Sequence, residues 1–180
     1  MPIAASDFKF KLSLKTGVAG NASAQPDVNE SLGKYISTTE LTDASLNNLF
    51  DDVSGDENAV SDVEYRCFFV HNAHATLALQ TPVIWLSAEV SGGAAIKIAI
   101  DGVAASAIGE SNAQADLVAN ESTAPSGESF SAPTSKGTGL ALGTIAAGYC
   151  RAVWVERTCS NTTAKTNDGA TFTVEGDTAE

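Results

Sequence analysis

Positive charge is scarce in this sequence: 10 Lys and Arg stand against 22 Asp and Glu in 180 residues, a formal net charge of −12. A chain so acidic is a poor partner for nucleic acid, whose phosphates are met by clustered cations. Long apolar runs are missing too. None approaches the ~20 residues a membrane-spanning helix needs, so no membrane partner is expected. The opening MPIAASDFKFKLSLKTG lacks the basic start, apolar stretch and cleavage site of a secretory signal, which implies synthesis in the cytoplasm.

Cysteine is limited to Cys67, Cys150 and Cys159, with no CxxC or other metal spacing. Cys67 lies in an apolar strand pattern and reads as a buried structural thiol. Cys150 and Cys159 sit at either end of another strand, too far apart to bond, and an odd count in a reducing compartment favours free thiols. Four Asn-x-Ser/Thr triplets, at Asn21, Asn29, Asn120 and Asn161, carry little weight without a secretion signal.

Catalytic patterns are absent as well. There is no G-x-S-x-G elbow, and no Walker or dinucleotide glycine pattern. Gly137 to Gly143 has the spacing GxGxxxG and precedes a strand, so it reads as a loop. The only histidines, His71 and His74, read as turn residues, since a zinc site would need further ligands beyond the nearest candidate, Cys67. The acidic run from Asp52 fails as a calcium loop. Glu57 stands where the sharp turn needs Gly, and Val63 where a bidentate Glu belongs. A looser cation site of Asp51, Asp52 and Asp56 is outweighed by a solvated acidic face. No catalytic residue, metal ligand or cofactor is assigned, and no enzyme is expected.

What is present is small and polar. Of the residues, 29 are Ala, 35 are Ser or Thr and 15 are Gly, so large core side chains must be concentrated in a few stretches. The 12 aromatic residues fall mostly in strand patterns (Phe68, Phe69, Trp85, Trp154, Phe172), where packing is their default role. Tyr149 is the one loop aromatic. The length fits one domain, or one domain with an arm.

Residues 1–36 read as an N-terminal arm. In it, Phe8, Phe10, Leu12 and Leu14 alternate with Lys9, Lys11 and Ser13 as in a half-buried strand. A Gly-, Ala- and Asn-rich stretch follows that cannot order itself by burial. Residues 37–63 read as a short acidic helix and linker. Ser37 with Glu40 matches a capping box, Leu41, Leu46, Leu49, Phe50 and Val53 can share a face, and Gly55 supplies a stop. Residues 40–64 hold eight carboxylates and no Lys or Arg.

Residues 64–180 read as a β domain. Its strand patterns include EYRCFFV, VIWLSAEV, AAIKIAI, YCRAVWVERT and ATFTVEG, with a weaker strand at 115–120 and Asn167-Asp168-Gly169 as a hairpin turn. About eight short strands at roughly ten-residue spacing predict an all-β fold, an antiparallel β-sandwich or jelly roll.

EYRCFFVHNAHATLAL, the stretch from Glu121 to Thr178 and the opening KFKLS together resemble a family of small proteins encoded among the virion genes of tailed bacteriophages and prophages. The resemblance implies a structural component of the virion, and within that a capsid decoration (cement) protein bound to the major capsid protein lattice or to other virion proteins. It implies a homo-oligomer without cofactor or catalysis. A β-sandwich module on a tail, neck or fibre, binding a host glycan or receptor, is the alternative. For a virion protein, the arm residues Phe8, Lys9, Phe10, Lys11, Leu12 and Lys15 are the expected partner-binding segment, through strand addition at a partner's sheet edge. The other reading is that this segment pairs within its own domain.

Overall fold

Alternation along Glu64–Val70 and Arg151–Val155 builds two adjacent strands whose side chains are buried on both faces, and the rest of the chain is arranged around them. The computed structural model describes residues 2–178. Its strands are β1 (Phe8–Leu14), β2 (Tyr35–Glu40), β3 (Val63–Asn72), β4 (Leu79–Glu89), β5 (Ala95–Ile100), β6 (Ser106–Ala107), β7 (Leu140–Ala141), β8 (Tyr149–Thr158) and β9 (Ala170–Thr178), with one helix, α1 (Gly55–Val60). Strand accounts for 38% of the chain, and α1 together with three 3-10 turns (Ala5–Asp7, Val28–Glu30 and Lys136–Thr138) for 8%, so the class is all-β. Every strand pair is antiparallel. One sheet has the order β2-β1-β3-β8-β5, with β6 also on β8, and the other the order β7-β4-β9. Among the described residues, no helix is long and apolar enough to cross a membrane.

The two sheets share a core. Phe68 and Val70 of β3, Val153 and Val155 of β8 and Ile96 and Ile98 of β5 pack with Leu79, Ile84 and Leu86 of β4. The alternate residues of the larger sheet, Cys67, Phe69, Ala152 and Trp154, face the other way, into a second core closed by Leu32, Ala115 and Val118 from loops. Burying each large apolar side chain contributes roughly 1.5–3 kcal/mol. Burial on both faces explains why EYRCFFV reads as a nearly continuous apolar run.

Four expectations are corrected. The segment 8–14 is not an arm but an internal strand, β1, paired on one side with β2 and on the other with β3, from Phe8 opposite Asn72 to Leu12 opposite Phe68. Its alternation is that of a strand with apolar and polar rows inside its own domain.

The helix expected after Ser37 is absent. Tyr35–Glu40 is strand β2, and the Ser37 hydroxyl accepts the N–H of Thr39 (3.1 Å) instead of capping a helix. Ala44 and Asn47 adopt left-handed backbone (φ 55° and 54°), which breaks any helix through 41–53, and Leu46 is exposed. The true capping box lies further on. The Ser54 N–H donates to Glu57 (2.6 Å), the Ser54 hydroxyl accepts the Glu57 N–H (3.2 Å), and α1 follows.

Asn167-Asp168-Gly169 does not close a hairpin, because β8 and β9 belong to different sheets. Asp168 instead accepts the Ala94 N–H and the Asn161 side-chain amide, both at 2.7 Å. This fastens the crossing between the sheets. Residues 115–120 form no strand beyond a single bridge from Leu117 to Gly33.

Candidate functional site

The residues expected to bind a partner are mostly committed internally. Leu12 is buried in the core between the sheets, with Phe8 and Phe10 half-buried beside it. Lys9 pairs with Glu40 (3.4 Å) and Lys15 with Glu30. Lys11 is nearly sealed and donates to the Asn21 side-chain oxygen (3.0 Å). The backbone of β1 is paired on both edges, so it has no edge to lend to a partner sheet.

The groups with chemical potential are likewise occupied or sealed. His74 accepts backbone N–H bonds from Thr76 and Leu77 at its Nδ1 (3.1 and 2.9 Å). His71 is buried with both ring nitrogens unpartnered. Burial, helped by the nearby Lys11 charge, lowers its pKa to about 4. All three cysteines are free and buried. Burial raises the thiols of Cys150 and Cys159 to about 12 and that of Cys67 well above its ordinary value. Such thiols are poor nucleophiles.

A buried ionic cluster that the sequence analysis missed lies where the core between the sheets meets segment 41–54. Arg157 donates through Nε to Glu64 (2.6 Å) and reaches both the carboxylate and the backbone carbonyl of Asp51. Arg66, fully buried, donates to Glu121 (2.5 Å) and to the Asn29 side chain (2.8 Å). The Phe50 ring stacks against both guanidinium groups, its centre 5.3 Å from Arg66 and 4.6 Å from Arg157. Asp51 is thereby engaged by Arg157 and by the Asn29 amide (3.1 Å), which removes it from the loose cation site considered above. Cations buried in strand positions, in a chain with few of them, were the available signal. Their partners lie in distant segments and could not be read.

Asp101, Asp116 and Glu128 bring carboxylate oxygens within 4.8 Å of one another. Three oxygens of this kind suit a hard cation. Both Asp101 oxygens, however, already accept: one from the Val103 N–H (2.7 Å), the other from the Asp116 N–H and the Trp154 indole (2.8 Å each). Burial and then the neighbouring carboxylates hold Asp116 and Glu128 above the usual acid range. The trio acts as a clasp tying the 101–128 loops to β8.

Two exposed features remain. A groove of about 1270 Å³ runs between segment 43–55 and residues 161–172, floored by Leu49, Ile96, Val155 and Phe172 and rimmed by Asp43, Asp52 and Asp168. Beside it, β9 is paired on one side only, with β4. Protein-family models, curated proteins and solved structures yield no match to this chain.

Proposed function

We propose that this chain is a non-enzymatic structural component of a tailed bacteriophage virion, acting as a capsid decoration (cement) protein that binds the major capsid protein lattice. The observation that carries the reading is the fate of the reactive groups: thiols, one histidine and two arginines are sealed inside, and the second histidine caps a turn. What faces solvent is a double layer of sheets with small polar loops, which supports a role in contact rather than chemistry. The sequence resemblance to virion proteins favours the virion as its location. On this reading the domain is a β-sandwich of jelly-roll type, supported by two antiparallel sheets that share one core. The chain is a homo-oligomer, as repeated lattice contacts favour. Among the described residues, Tyr149, partly exposed, has no second ring paired with it to form a sugar platform, so nothing specific favours a glycan-binding module.

Mass-spectrometric copy counting in purified phage particles that carry this chain tests the proposal. Hundreds of copies per particle are expected for a decoration protein. A handful would move it to the neck or tail, and absence from the particle would overturn the virion reading.

A further inference from the structure

We propose that the open edge of β9 accepts a single extended segment of a partner protein, one strand wide, in which apolar residues alternate with Lys or Thr. The chain's own loops bond to the outer sides of β2 and β5 and extend the pairing of β4 beside the two-residue β7. Along β2, Asn21 donates to the Ile36 carbonyl (2.6 Å) and Thr38 to that of Ser23 (2.9 Å). Along β5, Ser131 and Ile98 exchange backbone bonds (3.0 and 2.8 Å). On the β7 side of β4, the Leu86 N–H reaches the Pro133 carbonyl and the Leu142 N–H that of Pro82 (2.8 Å each). Among the described residues, the nine-residue β9 has no such cover. A long open edge is a template for strand addition unless it is guarded.

The groups on offer can be identified. Because Leu86 and Pro82 bond on the β7 side, Val83 and Trp85 turn their backbone groups toward β9. Their register partners Glu175 and Thr173 answer them. Alternation then directs the N–H and C=O of Phe172 and Val174 outward.

The space beside that edge has a defined width. The Phe172 ring packs on Phe68 of β3, centres 5.3 Å apart, and Phe68 packs on Phe10 of β1 at 5.7 Å. At the opposite side, β7 lies against β5. The smaller sheet therefore faces β5, β8 and β3, and beyond it the half-buried Phe8 and Phe10 of β1 share the margin of the core with Ile3 and Leu41. A strand added to β9 would lie over β1 and bring apolar side chains onto those rings.

A second copy of this chain does not fit there. Joined β9 to β9, its own larger sheet would occupy the place held by β1 and β2. The occupant must be a segment extended away from its own body. On its solvent face it would meet Thr171, Thr173, Glu175, which already pairs with Lys136 (2.5 Å), and Asp177, which accepts the Thr81 hydroxyl (3.0 Å), in a protein of net charge −12. Opposite charges across strands are favoured, which selects Lys among the outward residues.

The inference stands apart from the virion reading, since copy counts bear on that and peptide binding on this. The probe is a fluorescein-labelled peptide, Lys-Val-Thr-Val-Lys-Val-Thr-Val-Lys, titrated against the full chain by fluorescence anisotropy. Saturable binding is expected. It should weaken about tenfold when Glu replaces Lys in the peptide, and vanish in Val174→Pro, which removes an outward N–H and leaves the β4 bonds in place. Should that variant fail to fold, hydrogen exchange on the unaltered protein decides. Peptide must slow exchange at Phe172 and Val174 and leave Thr173 unchanged. Absence of saturable binding, binding that survives Val174→Pro in a folded variant, or protection located elsewhere would overturn the proposal. So would β9 protection that appears with rising protein concentration and no peptide, because the occupant would then be a second copy.

Discussion

Arg157 and Glu64 stand opposite each other in the β3–β8 register, the guanidinium Nε donating to the carboxylate over 2.6 Å, with both side chains almost sealed from water. A sealed ion pair repays its desolvation only while both members remain. Arg157 adds two bonds to Asp51, so this pair also fastens segment 41–54 over the end of the core. Arg157→Ala should therefore cost about 3–5 kcal/mol, because it leaves the Glu64 charge buried and unpaired. Replacing both, as Arg157→Met with Glu64→Leu, should cost less than either single change. Urea unfolding at neutral pH measures all three, and a double variant less stable than Arg157→Ala would refute the account.

His71 should set part of the acid sensitivity. Its folded-state pKa is about 4, against 6.5 for the ordinary side chain, because burial disfavours the charged ring. The unfolded chain therefore takes up a proton first as pH falls. The stability that His71 contributes as a neutral group is intact above about pH 6.5 and is lost between there and pH 4, up to roughly 3 kcal/mol. His71→Leu should flatten the stability profile in that window and leave it unchanged above it. Thermal melts from pH 7 to 4 test this, and parallel profiles for the two proteins would reject it.

The strands were legible where their alternation was strong. EYRCFFV, AAIKIAI, YCRAVWVERT and ATFTVEG all mark real strands, because period-2 burial leaves a local trace. Segment 37–53 misled because Leu41, Leu49 and Phe50 have helical spacing, yet two of the intervening residues adopt left-handed backbone that no composition rule reveals. The inward role of β1 was equally hidden: an alternating strand looks the same whether its edges meet its own neighbours or a partner. The ionic cluster lay beyond reach for a topological reason. Glu64 and Arg157 are 93 residues apart, and only the strand order makes them neighbours. The open edge of β9 is a property of that order too, and no residue within β9 announces it.

Glu128 should destabilise the fold at neutral pH. Burial raises its pKa, as do the charges of Asp101 and Asp116, although the Gly102 N–H it accepts works the other way. For an acid raised on folding, the sign is opposite to that of His71: its contribution is most favourable when the group is protonated and is lost as pH rises through the folded-state value. Glu128→Gln keeps an acceptor for Gly102 and removes the charge. The variant should match the unaltered protein near pH 4 and melt higher at about pH 7. Equal melting temperatures at pH 7 would show that the three carboxylates do not repel one another.

Removing residues 1–20 should abolish folding and not merely a binding arm. The deletion takes out β1, the strand that joins β2 to the rest of its sheet. Ser13 alone anchors the 31–33 segment twice: its N–H donates to the Ser31 hydroxyl (2.9 Å), and its own hydroxyl accepts the Gly33 N–H (2.8 Å). The lost strand also uncovers Phe68 and Phe69, both fully buried, and loses Leu12 from the core. Two exposed Phe side chains at roughly 1.5–3 kcal/mol each approach the whole stability of a typical domain. The shortened chain should be insoluble, or soluble without near-ultraviolet circular dichroism or a cooperative melt. A truncated protein that melts cooperatively, with dispersed amide resonances for β3 and β8, would show that β1 is dispensable and return residues 8–14 to the role of an arm.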